Sequence, residues 1–171
     1  MGSLITLVNA TSITLCLALG AVANAASFSP PGATFSTSAA GTITIKSPST
    51  FGAAVTCGIT LAGVISADGA DAKINTVSFS GGPGCALYQP THLAWNLTPK
   101  SISTGSLNGL GLTYTTTSPV WPTTNCGPSN IALTLANTTD GLSFHTTNQA
   151  LSGSCAIVGV DIVVLGVTVN P

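Results

Sequence analysis

Cysteine, histidine, aspartate and serine are the residue types in this chain that could do chemistry, and few of them are placed to do it. A nucleophilic triad would take Ser143 as nucleophile, His145 as base and Asp140 as the carboxylate that orients it. That chemistry needs three groups converging on one point beside an oxyanion hole. No Gly-x-Ser-x-Gly elbow is present, and the three residues fall on one turn and the strand after it. His145 therefore reads as an exposed strand histidine, and His92 reads the same way. Neither has a second ligand at the short spacing of a zinc or iron site. Asp68-Gly69-Ala70-Asp71 lacks the further oxygens of a calcium loop and reads as a polar turn. With no Glu in the chain, a carboxylate pair for glycoside hydrolysis would have to come from four Asp residues. No catalytic residue, metal or cofactor is expected.

The cysteines carry more information. Four of the five fall into two similar units. One runs Cys57-Gly58-Ile59-Thr60-Leu61, Asp68-Gly69, Val77-Ser78-Phe79-Ser80-Gly81 and Cys85. The other runs Cys126-Gly127, Ile131-Ala132-Leu133-Thr134-Leu135, Asp140-Gly141, Leu142-Ser143-Phe144 and Cys155. Each is a β-hairpin pattern with a cysteine at either open end. Partners across a two-residue hairpin have numbers of constant sum, and Asp-Gly suits the type I′ turn of such a loop. Asp140 with Gly141 and Cys126 with Cys155 both sum to 281, which would set the two thiols face to face. In the first unit the polar turn 68–73 sums to 141, and Cys57 with Cys85 sums to 142. Cys57–Cys85 and Cys126–Cys155 are therefore the expected bridges. A bridge between the units, tying two sheets together, is the main alternative among the three pairings that four cysteines allow. The wide spacing and an exported setting favour disulfides over metal ligation.

Export is read from the start of the chain. Residues 13–22 form an apolar run containing Cys16, followed by the small residues Ala23-Asn24-Ala25. The run is far shorter than the ~20 residues of a membrane span, so 1–25 reads as a signal peptide cleaved before Ala26. The departure from the pattern is that no Lys or Arg precedes the run. Cleavage removes Cys16 and leaves an even four, as in an oxidised, exported protein. The remainder, 26–171, is long enough for one domain with its own core.

That remainder carries Lys46, Lys73, Lys100, Asp68, Asp71, Asp140 and Asp161, and neither Arg nor Glu. A typical soluble domain is about 25% charged. So sparse a surface cannot neutralise a phosphate backbone, which excludes nucleic acid as a partner. It also offers little repulsion against self-association. The apolar tail 162–169 is too short to be a transmembrane anchor and is interrupted by Gly166.

The elements that position these residues read almost wholly as strands. Alternation of period two recurs over 42–46, 55–61, 74–80, 92–98, 110–115, 131–136, 142–147, 156–160 and 162–169, separated by Gly, Pro, Asn and Ser clusters. Eight or nine short strands in one domain predict an all-β, single-domain β-sandwich of Ig-like or Greek-key type, with two disulfide-stapled hairpin units. Residues 27–38 read as an extended N-terminal arm. Trp95, alternating with Leu93 and Leu97, reads as core. Trp121, Tyr88 and Tyr114 are the candidate surface contacts, as a stacking platform for sugars or a patch for hydrocarbon. The sequons Asn96-Leu97-Thr98 and Asn137-Thr138-Thr139 read as coincidence in a Thr-rich chain. The low-charge segment 159–169, or the arm near 26–44, is a candidate for strand addition between subunits. The competing reading is that 162–169 closes the sandwich as a central strand.

Several stretches together resemble the PraA/PraB family, exported proteins of Gram-negative bacteria known as activators of alkane oxidation. They are the leader ending Ala-Asn-Ala-Ala before Phe28-Ser29-Pro30, Thr56-Cys57-Gly58-Ile59-Thr60-Leu61-Ala62-Gly63, Ala67-Asp68-Gly69 and Trp95-Asn96-Leu97. Cys126-Gly127-Pro128-Ser129 and Thr147-Asn148-Gln149-Ala150-Leu151-Ser152-Gly153-Ser154-Cys155 complete the set. The resemblance spans nearly the whole chain. It implies a non-enzymatic protein, secreted or at the cell surface, that aids growth on hydrocarbons or belongs to a biofilm matrix. It carries over no catalytic residues. Its implied partners are surface and matrix components or a hydrophobic substrate, while the sparse charge and the strand-forming ends point to other copies of the chain. The alternative expectation is a carbohydrate- or small-ligand-binding sandwich, and the third is a hydrolase built on His145.

Overall fold

The computed structural model describes residues 25–37, 41–116, 120 and 122–171. Residues 1–24 of the expected leader 1–25, with Cys16, and Trp121 lie outside the described residues. Twelve strands are present among the described residues: β1 (Ser27–Ser29), β2 (Thr34–Ser36), β3 (Gly41–Lys46), β4 (Ala54–Ile65), β5 (Ala72–Ser80), β6 (Tyr88–Thr91), β7 (Trp95–Pro99), β8 (Thr104–Tyr114), β9 (Thr124–Asn137), β10 (Gly141–Leu151), β11 (Cys155–Leu165) and β12 (Thr168–Asn170). Two short 3-10 turns, Pro48–Thr50 and Cys85–Leu87, are the helical elements among the described residues.

The all-β expectation is met, but the sandwich is not. Eight strands run in the order β3-β4-β5-β7-β8-β9-β10-β11, each antiparallel to the next, and β11 pairs back onto β3. This is an up-and-down barrel with no Greek-key crossing. Closure removes the open sheet edges that a sandwich leaves exposed. Long strands with register shifts supply the curvature, at Ala62/Gly63 in β4, between Leu107 and Leu112 in β8, and at Ile157/Gly159 in β11. β2 pairs with β4 beyond the end of β3, and β6 pairs with β8 beyond the end of β7, so both extend the wall; β1 with β12 forms a separate two-stranded ribbon.

The shifts also account for the difference between the strand boundaries and the alternation in the sequence. The bulge in β11 moves the inward phase from Ile157 to Val160, so what reads as two strands is one. Segment 162–165 lies within β11 and is bonded to β10, while the ladder from β11 to β3 ends at Asp161 and Thr42. The arm carries β1 and β2, both already paired within the same chain.

Inward positions are apolar: Ile43, Ile59, Leu61, Ile74, Trp95, Leu97, Leu107, Ile131, Leu133, Phe144, Val160 and Ile162 fill the lumen. Many outward positions are Thr, Ser, Asn or Lys, as at Thr42, Lys73, Asn75, Thr104, Thr134 and Thr147. A membrane-spanning barrel has the reverse polarity. No helix among the described residues is long and apolar enough to cross a membrane.

Candidate functional site

The strand directions give the barrel two poles. β4 begins, β5 ends, β9 begins and β11 begins at the same pole, and both disulfides lie there. Cys57 bridges to Cys85 and Cys126 to Cys155, each with a Cα–Cα separation of 5.6 Å. Cys57 on β4 and Cys126 on β9 stand four strands apart around the ring.

The expected pairings are present, but the hairpin geometry behind them differs. Leu142 pairs with Asn137 across β9–β10, so the register sum is 279 and the turn contains four residues, not two. The Thr138 amide donates to the Gly141 carbonyl (2.7 Å), and the Gly141 amide donates to Thr138 Oγ1 (3.2 Å). Gly141 sits at φ 149°, where an added Cβ would lie 2.0 Å from the Val164 carbonyl oxygen. Cys126 is reached from the first residue of β11, beyond the end of β10, not from a facing residue of the hairpin. Cys85 likewise lies past β5, in the 3-10 turn. Each bridge ties a strand to the connection that follows its hairpin partner.

The disulfide pole also holds the tyrosines. Tyr88 and Tyr114 are ladder partners on β6 and β8, and their rings meet edge to face at 4.8 Å. They are 3% and 5% exposed, so neither is the surface contact that the sequence suggests. Both sit at positions whose side chains turn inward, which the missing strand β6 had concealed. Tyr88 Oη lies 3.4 Å from Ser47 Oγ, and burial pushes its phenol above the usual 10.0 while that hydrogen bond opposes the shift. Below the tyrosines a group of buried hydroxyls closes the pole. Ser49 Oγ donates to the Pro122 carbonyl and contacts Thr124 Oγ1, and Thr50 Oγ1 donates to the Ser47 and Ala53 carbonyls. Every member of this group has a partner, so it reads as closure of the pole.

Trp95 is core as expected, its indole N–H donating to the Thr91 carbonyl at 2.8 Å. Leu93, expected to alternate with it, is 42% exposed because the chain leaves the sheet between β6 and β7.

His145, Ser143 and Asp140 do not converge. His145 faces Thr134 and Asp161 across the ladders, and no hydrogen bond joins it to Ser143 or Asp140. His92 stands outside any strand at φ 57°, its Nδ1 3.1 Å from Thr91 Oγ1. Asp68 folds onto its own turn: Oδ1 accepts from Ser66 Oγ (2.7 Å) and the Ala70 amide (3.0 Å), which holds the carboxyl below its usual value of 3.8. Asn137 of the second sequon clamps the ribbon, donating to the Val169 carbonyl and accepting from the Val169 amide, both at 2.9 Å.

Two concavities bear on function. The lumen is enclosed by apolar side chains and leaves about 20 Å³ free. Ligand pockets are usually 300–1,000 Å³. An open depression of about 440 Å³ lies outside, over β8–β10, edged by Lys100, Thr104, Thr134, His145, Thr147 and Gln149. There the β9–β10 ladder stops at His145 and Thr134, and side chains take over the pairing. Thr146 Oγ1 donates to the Ala132 carbonyl, and Gln149 Oε1 accepts from the Ala132 amide. Exposed apolar side chains stand on the wall at Val163 and Leu165, in the turns at Leu93 and Ile102, and at the disulfide pole at Phe51 and Val120.

Fold and site together define a small disulfide-stapled β-barrel, packed solid within and almost uncharged without. The chain belongs to the family described as alkane oxidation protein activator PraA/PraB-like, which matches residues 1–171. No curated protein and no solved structure matches it. The two disulfides are consistent with an exported protein.

Proposed function

We propose that this protein is a non-enzymatic, exported helper of growth on hydrocarbons that works through the outside of its barrel. It would meet a hydrophobic substrate, or surface and matrix components of the cell, by adsorption. The observation that carries this reading is the filled lumen. With about 20 Å³ free, the barrel has no room to carry an alkane, so contact with one falls to the outer surface. Two features of that surface support the reading. Its charges are few, so little hydration must be stripped when it meets an apolar phase. Val163 and Leu165 stand two residues apart on one face of β11, with Ala136 across the ladders through Ser143. Carbohydrate binding would have to use other rings than Tyr88, Trp95 and Tyr114, which are buried.

The test is adsorption of the purified protein to hexadecane droplets. Val163→Asp with Leu165→Asp places two charges on the wall at outward positions, where they leave the fold intact. Loss of adsorption is the expected result. Wild-type protein that stays in the water phase would overturn the proposal.

A further inference from the structure

Phe28 is the stopper of the pole opposite the disulfides. Its side chain is 1% exposed and sits among Phe35, Ile65, Leu97, Leu142 and Val164. The strand that carries it is slight by comparison. β1 has three residues and pairs with β12 alone, apart from the barrel sheet. One further main-chain bond runs from the Phe28 amide to the Gly69 carbonyl, at 2.8 Å. Between β1 and β2 come Pro30, Pro31, Gly32 and Ala33. Gly32 lies at φ +73° with nothing within 4 Å of an added Cβ, and its amide donates to the Ser66 carbonyl at 3.0 Å, which ties the link itself to the barrel. β2 is held separately, by its own ladder to β4 and by the Ile65 amide donating to the Ala33 carbonyl at 2.9 Å. The arm is thus a knob, a short link and a fixed root.

A knob of this kind has the same socket in every copy of the chain. Moving β1 into a neighbour replaces each of its contacts by an identical one, so the closed and exchanged forms differ mainly in the link. The two prolines restrict that link, so little chain freedom separates the two forms. The turns and strand starts around the socket carry Asp68, Asp71 and Asp140 against Lys73 and Lys100. Two such poles therefore repel only weakly, and less at physiological salt.

We propose that β1 exchanges between copies of this chain. Ser27–Ser29 of one molecule pairs with Thr168–Asn170 of another, and Phe28 stoppers that molecule's barrel. The partner is a second copy, and the interface is the Phe28 socket with the edge of β12. This rests on the export reading in one respect: the leader before Ala26 must be gone for β1 to be a free end.

The test uses chains beginning at Ala26 with the native bridges intact. Ser27 and Asn170 are facing partners in the ladder, at a separation that a disulfide can span. One preparation carries Ser27→Cys and the other Asn170→Cys, so neither can close the bond within itself. The two are mixed at high concentration, oxidised and digested without reduction. A peptide joining position 27 of one chain to position 170 of the other is expected, with a yield that rises with concentration and falls when Phe28→Ala is added to the first chain. Oxidation that gives only 27–27 or 170–170 links, or none, would overturn the proposal. The readout does not depend on hydrocarbon, so it can fail or succeed independently of droplet adsorption.

Discussion

Tyr88 ties part of the protein's stability to alkaline pH. Burial disfavours the phenolate, and the Ser47 hydrogen bond opposes this less strongly, so the folded-state pKa lies above 10.0. The folded protein then holds that proton more tightly than the unfolded chain does. Its contribution is present below the unfolded pKa and lost as pH rises through the folded one. Tyr88→Phe keeps the ring against Tyr114 and removes the titration. Urea unfolding between pH 9 and 12 should show wild-type stability falling more steeply with pH than the variant's, and parallel curves would exclude Tyr88 as the cause. Nothing in the sequence marks Tyr88 as buried. Its four-residue strand contains Pro90 and shows no alternation, so it passes for a loop and its aromatic for a surface residue. Trp95 was legible because it is followed at period two by Leu97 within a strand.

At the scale of elements, both bridges act on one pole. Each closes a loop of similar length, with separations of 28 and 29 residues, which places each at ~3.6 kcal/mol in the chain-entropy account. Replacing Cys126 and Cys155 together by Ala is expected to cost about 2–4 kcal/mol of unfolding free energy, read by urea titration. The loss should appear first as faster amide exchange in the early residues of β9 and β11 while the Asn137–Val169 clamp stays protected. Uniform loss of protection would show that the poles do not open separately. The cysteine pairing was legible because the two units repeat one pattern. The turn was not, since Asp140-Gly141 supplies the type I′ signature while Thr138 draws the loop out to four residues through its hydroxyl. Bulges hid the strand boundaries for a similar reason: in β8, Asn108 and Gly109 shift the inward phase from Leu107 to Leu110, and alternation breaks where the strand does not.

For the molecule as a whole, what the sequence could not show is closure. A sandwich and a barrel draw on the same alternating strands, and the choice depends on whether β11 reaches β3 across more than a hundred residues of chain. Eight strands give a ring just wide enough for side chains to fill, and here they fill it. The lumen therefore serves stability, and any hydrocarbon contact is left to the wall. These two roles can be separated. Phe144 lies inward on β10 and lines the lumen. Phe144→Ala is expected to cost about 3–5 kcal/mol through lost burial and the cavity it leaves. Phe144→Leu should cost less, within about 0.5–3 kcal/mol, and remain folded. If the wall makes the contact, folded Phe144→Leu protein adsorbs to hexadecane droplets as wild type does, although it unfolds at lower urea. The paired Val163→Asp and Leu165→Asp variant should show the opposite, with normal stability and lost adsorption. Should the lumen variant change adsorption while remaining folded and the wall variant leave it unchanged, hydrocarbon contact would have to be assigned to the interior, through an opening of the barrel that the packed state conceals.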